Sequence, residues 1–167
     1  MKNKYYLSIA LITLLSLFSG CKKEGPAGPA GKEGNANVKS STTTFSNWTW
    51  DGSSGVEYDY VDFTWGEITS EIVNTGGVFI YVSNGAGGWL PLPRTIFPNN
   101  AYTQSQRFVY TTGAFRIIVQ DSDLTQPLNP GTWTIKVLAV ASSLRQANPD
   151  LDWNNYEAVK EALQLED

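Results

Sequence analysis

The chain predicts an all-β domain, mainly an antiparallel β-sandwich, closed by a short C-terminal helix and held behind an N-terminal leader and tether. Three observations carry this. From Thr42 onward, short aromatic and β-branched runs alternate with Gly, Asn and Pro turn clusters. Period-two patterning recurs in those runs, which is the signature of half-buried strands. A helical period is clear only near the C-terminus. Six or seven strands with turns between them and two short helices fit two packed antiparallel layers.

In chain order, Lys2 and Lys4 precede an apolar run from Tyr5 to Phe18, then Ser19, Gly20 and Cys21. These are the basic, apolar and cleavage regions of a secretory signal over residues 1–20. Fourteen residues are too few for an apolar core of roughly 30 Å, which needs about 20; the competing reading is an uncleaved anchor. Cys21 is the only cysteine. A thiolate is the side chain best suited to accept a lipid, so Cys21 is the expected attachment point. The site resembles a bacterial lipobox, with Phe18 where a Leu usually stands and Leu17 one place earlier. Removal of residues 1–20 takes Lys2 and Lys4 away and moves the formal charge from −4 to −6. An acidic chain without basic clusters argues against nucleic acid as a partner. No second cysteine exists to form a disulfide, so the core alone must hold the domain.

Residues 21–41 read as the lipidated cysteine and a tether. Within it Gly25-Pro26-Ala27, Gly28-Pro29-Ala30 and Gly31-Lys32-Glu33 follow a collagen-type period. Three triplets are few for a triple helix. A solvated spacer reaching up to roughly 50 Å is the first expectation, and registration of a homotrimer the sharper alternative.

The domain is expected over residues 42–167. Thr42 to Trp50 alternates, with Thr44, Ser46, Trp48 and Trp50 on one parity, and Asp51-Gly52-Ser53-Ser54-Gly55 makes a turn. Val56 to Tyr60 alternates apolar with acidic, and Val61, Phe63 and Trp65 continue on the other parity, which predicts a bulge near Tyr60-Val61. Thr69 to Gly76 reads as one or two helical turns, with Thr69 as N-cap and Gly76 in a left-handed position after the end. Val78 to Val82 is apolar throughout, as in a central strand buried on both faces. Trp89-Leu90-Pro91-Leu92-Pro93 carries two prolines and so belongs at an edge or an irregular crossing. Gln106–Thr111 and Ala114–Asp121 flank Thr112-Gly113 as a hairpin, with Phe115, Ile117 and Val119 facing one way. Thr132 to Ala141 is a further strand. Residues 154–163 form the helix, with Tyr156, Val159 and Leu163 on its apolar face and Asp152 or Asn154 as its cap; it is expected over an open end or edge of the sandwich.

Several stretches together resemble a family. Gly31 to Val38, Ile68-Thr69, Asn74-Thr75-Gly76-Gly77-Val78, Trp89 to Pro93, and Trp153 with Tyr156-Glu157-Ala158-Val159-Lys160 are similar to collagen-like exported lipoproteins common in Bacteroidetes-type bacteria. The resemblance implies anchoring and one domain. That family has no established activity, so it implies no site residue.

The chain has no histidine, which removes His-based triads and His-zinc sites. No Gly-x-Ser-x-Gly or P-loop pattern occurs, and no cofactor is implied. Asp59 with Asp62, or Asp121 with Asp123, are carboxylate pairs that a glycoside hydrolase could use, but turn and surface carboxylates are the commoner case. Asp150, Asp152 and Asn154, with Glu161, partly mimic a calcium loop, yet Asn155 stands where that loop needs Gly, and helix capping explains the same residues. Six Trp and eight Tyr are the suggestive feature. Trp48, Trp50, Tyr58, Tyr60 and Trp89 are candidates for a platform that stacks on sugar rings, set against a role in the core and its rim. The expectation is a non-catalytic, lipid-anchored protein of the outer membrane that binds or adheres through its domain, with a glycan or a protein as ligand. A carbohydrate-binding lipoprotein is the alternative and a carboxylate glycosidase the third reading. Lys22-Lys23 lack the acidic residue associated with inner-membrane retention; which face of the outer membrane the domain occupies is left open.

Overall fold

A computed structural model describes residues 37–53, 57–99 and 101–165. These belong to one unit that begins at Gly34. The expected leader, Cys21 and the glycine triplets lie outside the described residues. Among the described residues nine strands form two antiparallel sheets, and three short helices accompany them. The four-stranded sheet runs β1 (Val38–Phe45), β9 (Trp133–Val140), β4 (Gly77–Ser83), β5 (Trp89–Leu92). The five-stranded sheet runs β2 (Thr49–Asp51), β3 (Tyr58–Thr64), β8 (Ala114–Asp121), β7 (Gln104–Thr111), β6 (Arg94–Ile96).

The chain changes sheet at both edges. Between Phe45 and Thr49 it passes from β1 to β2, and at Pro93 from β5 to β6. The expected edge or crossing at Trp89–Pro93 is therefore both. Pro91 can sit in β5 because that strand pairs on one side only. The three-residue strands β2 and β6 take the count beyond six or seven; three residues are too short to show a period.

Inward side chains of the two sheets make the main core. Val78, Ile80 and Val82 from β4 and Ile135 and Val137 from β9 meet Val61 from β3 and Phe115, Ile117 and Val119 from β8. β4 is buried on both faces, as its unbroken apolar run requires. Its other parity, Phe79 and Tyr81, belongs to a second cluster with Leu138, Val140, Tyr156, Val159 and Leu163. That cluster lies under helix α3 (Tyr156–Leu163). The helix thus covers the outer face of the four-stranded sheet toward its edge strand β5, not an open end. An amphipathic helix needs an apolar plane, and the even residues of β9 together with the odd residues of β4 supply one.

Several local expectations are corrected. β1 begins at Val38, so the last four residues assigned to the tether are strand, paired in register with β9 from Val38–Val140 to Phe45–Trp133. β3 runs against β8 without a bulge, from Asp59–Val119 to Thr64–Ala114. One register throughout means that Asp59, Val61 and Phe63 point inward while Tyr58, Tyr60 and Asp62 point outward. α1 (Ser70–Asn74) is capped by Thr69 as expected, its hydroxyl accepting from the Ile72 N–H at 3.2 Å. Gly76 does not adopt a left-handed φ; glycine is needed because a Cβ there would lie 2.5 Å from the Val140 carbonyl oxygen. In the hairpin Gly113 does take a positive φ of 78°. α3 is capped by Asn155, whose side chain accepts from the Ala158 N–H at 3.3 Å, not by Asp152 or Asn154. α2 (Ser142–Ala147) was not legible in the sequence; its residues are not buried, so it has no apolar stripe to read.

Candidate functional site

The sheet alternation divides the aromatic candidates among three places. Trp48 packs at the β1–β2 corner, with ring centroids 5.2 Å from Phe45 and 5.0 Å from Trp133. Its indole N–H donates to the Gly131 carbonyl at 2.8 Å, which ties the corner to the loop before β9. Trp50 pairs with Asp59 and so stands on the inward side of the β2 edge. Trp89 lies on the helix-covered side, 5.7 Å from the Tyr156 ring. Only Tyr58 and Tyr60 share an open face. Five residues of suitable type therefore do not make one platform.

Tyr58 and Tyr60 stand on the outer face of the five-stranded sheet, 5.8 Å apart and edge to face. The next residue on that face of β3 is Asp62, opposite Arg116 of β8. Arg116 donates from Nε to Oδ1 at 2.6 Å and from a terminal nitrogen to Oδ2 at 2.7 Å, the forked geometry that fixes both planes. The same guanidinium lies 4.1 Å from the Tyr60 ring centroid. Asp62, Arg116, Tyr60 and Tyr58 form one held row. These hydrogen bonds hold the Asp62 carboxyl below the usual carboxylate range and raise Arg116 further. Asp51, at the near end of β2, is also lowered, first by the Ser53 hydroxyl and then by the Ser53 N–H.

Beside this row is a shallow depression of about 300 Å³, bounded by Asp62, Thr64, Val109, Thr111, Ala114 and Arg116. It exists because Ala114 is small where Thr64 and Thr111 flank it on the neighbouring strands. Val109, at its rim, is 52% exposed. Further along, Ile118 is buried although it faces outward, between its row neighbours Tyr60 and Arg107. Among the described residues no element covers this face. The surface offers flat rings, a fixed carboxylate–guanidinium pair, hydroxyls and an apolar floor: the groups that make directional contacts to a polar ligand with apolar patches.

The carboxylate pairs read from the sequence are separated by the sheet. Asp59 points inward and Asp62 outward, while Asp121 is buried and Asp123 sits in an exposed turn, accepting from the Thr125 N–H and hydroxyl. A different pair emerges. Asp59 and Asp121 are 3% and 2% exposed, on adjacent strands and the same inward face. Three side chains lead to Asp121: Arg94 Nε donates to Gln106 Oε1 at 2.6 Å, Gln106 Nε2 to Gln104 Oε1 at 2.8 Å, and Gln104 Nε2 to Asp121 Oδ1 at 2.9 Å. Burial, and then the Asp121 charge, push the Asp59 carboxyl upward; burial lowers Arg94.

A second buried charge was also missed. Lys136, 4% exposed on β9, donates to the Tyr156 hydroxyl at 2.7 Å, with its ammonium 4.9 Å from the Trp89 ring and 4.8 Å from the Tyr156 ring. Tyr81 nearby donates to the Trp153 carbonyl at 2.6 Å, and burial raises its hydroxyl. These contacts fasten α3 and β5 to the sheet. A lone lysine inside an apolar strand was the available sequence signal.

The calcium candidates Asp150, Asp152 and Asn154 are exposed. Asp152 accepts from the Asn154 N–H at 3.0 Å, shaping the approach to the helix. Among the described residues no group of three His, Cys, Asp or Glu side chains is placed to hold a metal ion. No protein-family model, no curated protein and no solved structure matches the chain.

Proposed function

We propose that this chain is a non-catalytic, lipid-anchored envelope protein that binds or adheres through the outer face of its five-stranded sheet. The observation that carries the reading is the asymmetry of the two sheets. The four-stranded sheet has its outer face covered by α3, whereas the five-stranded sheet leaves uncovered, among the described residues, a face bearing Tyr58, Tyr60, Asp62 and Arg116. A bare fold would be served by polar residues there; a row of rings held by a forked ion pair is rigid before any ligand arrives, which lowers the ordering cost of binding.

Anchoring rests on Cys21 and the residues before it, and the outer membrane on Lys22-Lys23. Labelled-fatty-acid incorporation that disappears in Cys21→Ser tests the anchor. Protease treatment of intact cells tests the face: loss of the domain places it at the surface, and full protection places it in the periplasm and removes adhesion.

A second reading, carbohydrate binding, is favoured by the same row, because pyranose rings present apolar C–H faces to aromatic rings and hydroxyls to planar polar groups. Glycan-array binding by the chain from Lys22 onward, lost in Tyr58→Ala, is the expected result. Binding unaffected by Tyr58→Ala and by Arg116→Ala removes this face as the site.

A further inference from the structure

Two open sheets have four edges, and three of these are blunted. β2 and β6 are three residues long; β5 contains Pro91 and is followed by Pro93. Short or proline-bearing edges offer little to a further strand. β1 is different. It has eight residues, no proline and an unbroken register against β9, and its one charged residue is Lys39. Lys39, Ser40, Thr42 and Thr44 are exposed, and among the described residues only β9 pairs with it. In an antiparallel ladder alternate residues turn both N–H and C=O away from the partner, so about four residues of β1 present unpaired backbone groups.

The geometry points to a second copy of this chain as the occupant: β1 pairs antiparallel with β1 of the other copy about a two-fold axis, joining two four-stranded sheets into one of eight. The edge is self-complementary. With Ser41 on the axis, Val38 faces Thr44, Lys39 faces Thr43 and Ser40 faces Thr42. With Thr42 on the axis, Lys39 faces Phe45, Ser40 faces Thr44 and Ser41 faces Thr43. In either register the hydroxyl residues oppose each other, which favours pairing, and Lys39 never meets its own copy. A two-fold contact also closes on itself and leaves no edge for a third chain.

The point of chain entry fits this arrangement. The two Val38 ends would lie about 20 Å apart along the strands with Ser41 on the axis and about 27 Å with Thr42 on it, at roughly 3.4 Å for each of six or eight steps, within the reach of residues 22–37. A parallel triple helix in the glycine triplets would instead draw three Val38 ends together, where three edges cannot pair in one plane.

Sedimentation of the chain from Lys22 onward tests the inference. A dimer that dissociates on dilution is expected. A monomer overturns it, and a trimer overturns it in favour of the triplets. Such a chain has no thiol, so Ser41→Cys and Thr42→Cys report the register. Across the axis the Cα atoms would be about 4.5–5.5 Å apart, within disulfide range, so one of the two variants should oxidise to a covalent dimer. Failure of both counts against the pairing. Ser40→Lys combined with Thr42→Lys changes only exposed side chains and places lysine against lysine in either register. It should weaken the dimer by about tenfold or more with unchanged far-UV circular dichroism. Protection of β1 amides from exchange in a monomer would show instead that the chain's own N-terminal segment covers the edge, and that result also overturns the pairing.

Discussion

The buried acid pair yields the sharpest prediction. Asp59 and Asp121 are both nearly inaccessible and share one face of the core. Two negative charges cannot sit there without cost, and the donor relay decides where a proton goes. Arg94, Gln106 and Gln104 direct their hydrogen bonds to Asp121, and no described residue donates to Asp59. Asp59 is therefore the acid of the pair pushed toward its protonated form, by burial first and then by the Asp121 charge. A carboxyl raised on folding favours the folded state most below its unfolded value, near 3.8, and that favour is lost as pH rises through the raised value. Above it, folding must either carry a proton or bury a second charge.

Asp59→Asn replaces the acid with a neutral group of the same shape that can donate to Asp121. At neutral pH the variant should be more stable than the parent by about 1 kcal/mol or more, the scale of one hydrogen bond gained by Asp121 in place of a neighbouring like charge. For a domain of this size that is a rise in midpoint temperature of about 4 °C. As pH falls through the raised value and parent Asp59 takes up its proton, the difference should shrink toward zero. Thermal unfolding of parent and variant across pH 4–8 checks this, and taking the difference cancels the other carboxyls. An Asp59→Asn variant that is less stable at pH 7, or whose advantage does not vary with pH, would refute the placement of the proton.

Other outcomes follow from the same contacts. Gly76→Ala should destabilise the domain by about 2–4 kcal/mol in chemical denaturation, because the new methyl meets backbone, the Val140 carbonyl, that cannot give way. Lys136→Met should be neutral or stabilising, whereas Tyr156→Phe should cost about 1–3 kcal/mol, because only the second leaves a buried ammonium without its hydrogen-bond acceptor. Asp62→Asn should lower stability by less than about 1 kcal/mol at pH 7, since the pair is exposed. Asp62 is lowered by Arg116, so its contribution is present above the unfolded value and lost as pH falls through the folded one. On the proposed role of the outer face, the same variant should weaken glycan-array binding far more than stability, by freeing Arg116 from Tyr60.

What the sequence could and could not reveal turns on strand parity. The apolar run Val78–Val82 and the Thr112-Gly113 hairpin were legible because their patterns are local: one needs two buried faces, the other a tight turn. The segment Val56–Trp65 was not, because it holds two apolar series of opposite parity. Tyr58 and Tyr60 compete with Val61, Phe63 and Trp65, and a bulge reconciles them only if tyrosine must be inward. Tyrosine carries a hydroxyl that tolerates water, valine does not, and β8 offers Phe115, Ile117 and Val119 on one parity as the surface to match. The aliphatic series wins, no bulge forms, and the tyrosines turn outward. That single register choice has two consequences which no short window of sequence contains. It places Asp59 inside, where it can meet Asp121 only because β3 and β8 are neighbours despite some 60 intervening residues. It also places Asp62 outside, opposite Arg116, where the pair holds Tyr60. The acid pair and the outer row are thus two sides of one pairing. A substitution that shifted the β3 register by one residue would exchange them, burying Tyr58, Tyr60 and Asp62 and exposing Asp59, Val61 and Phe63.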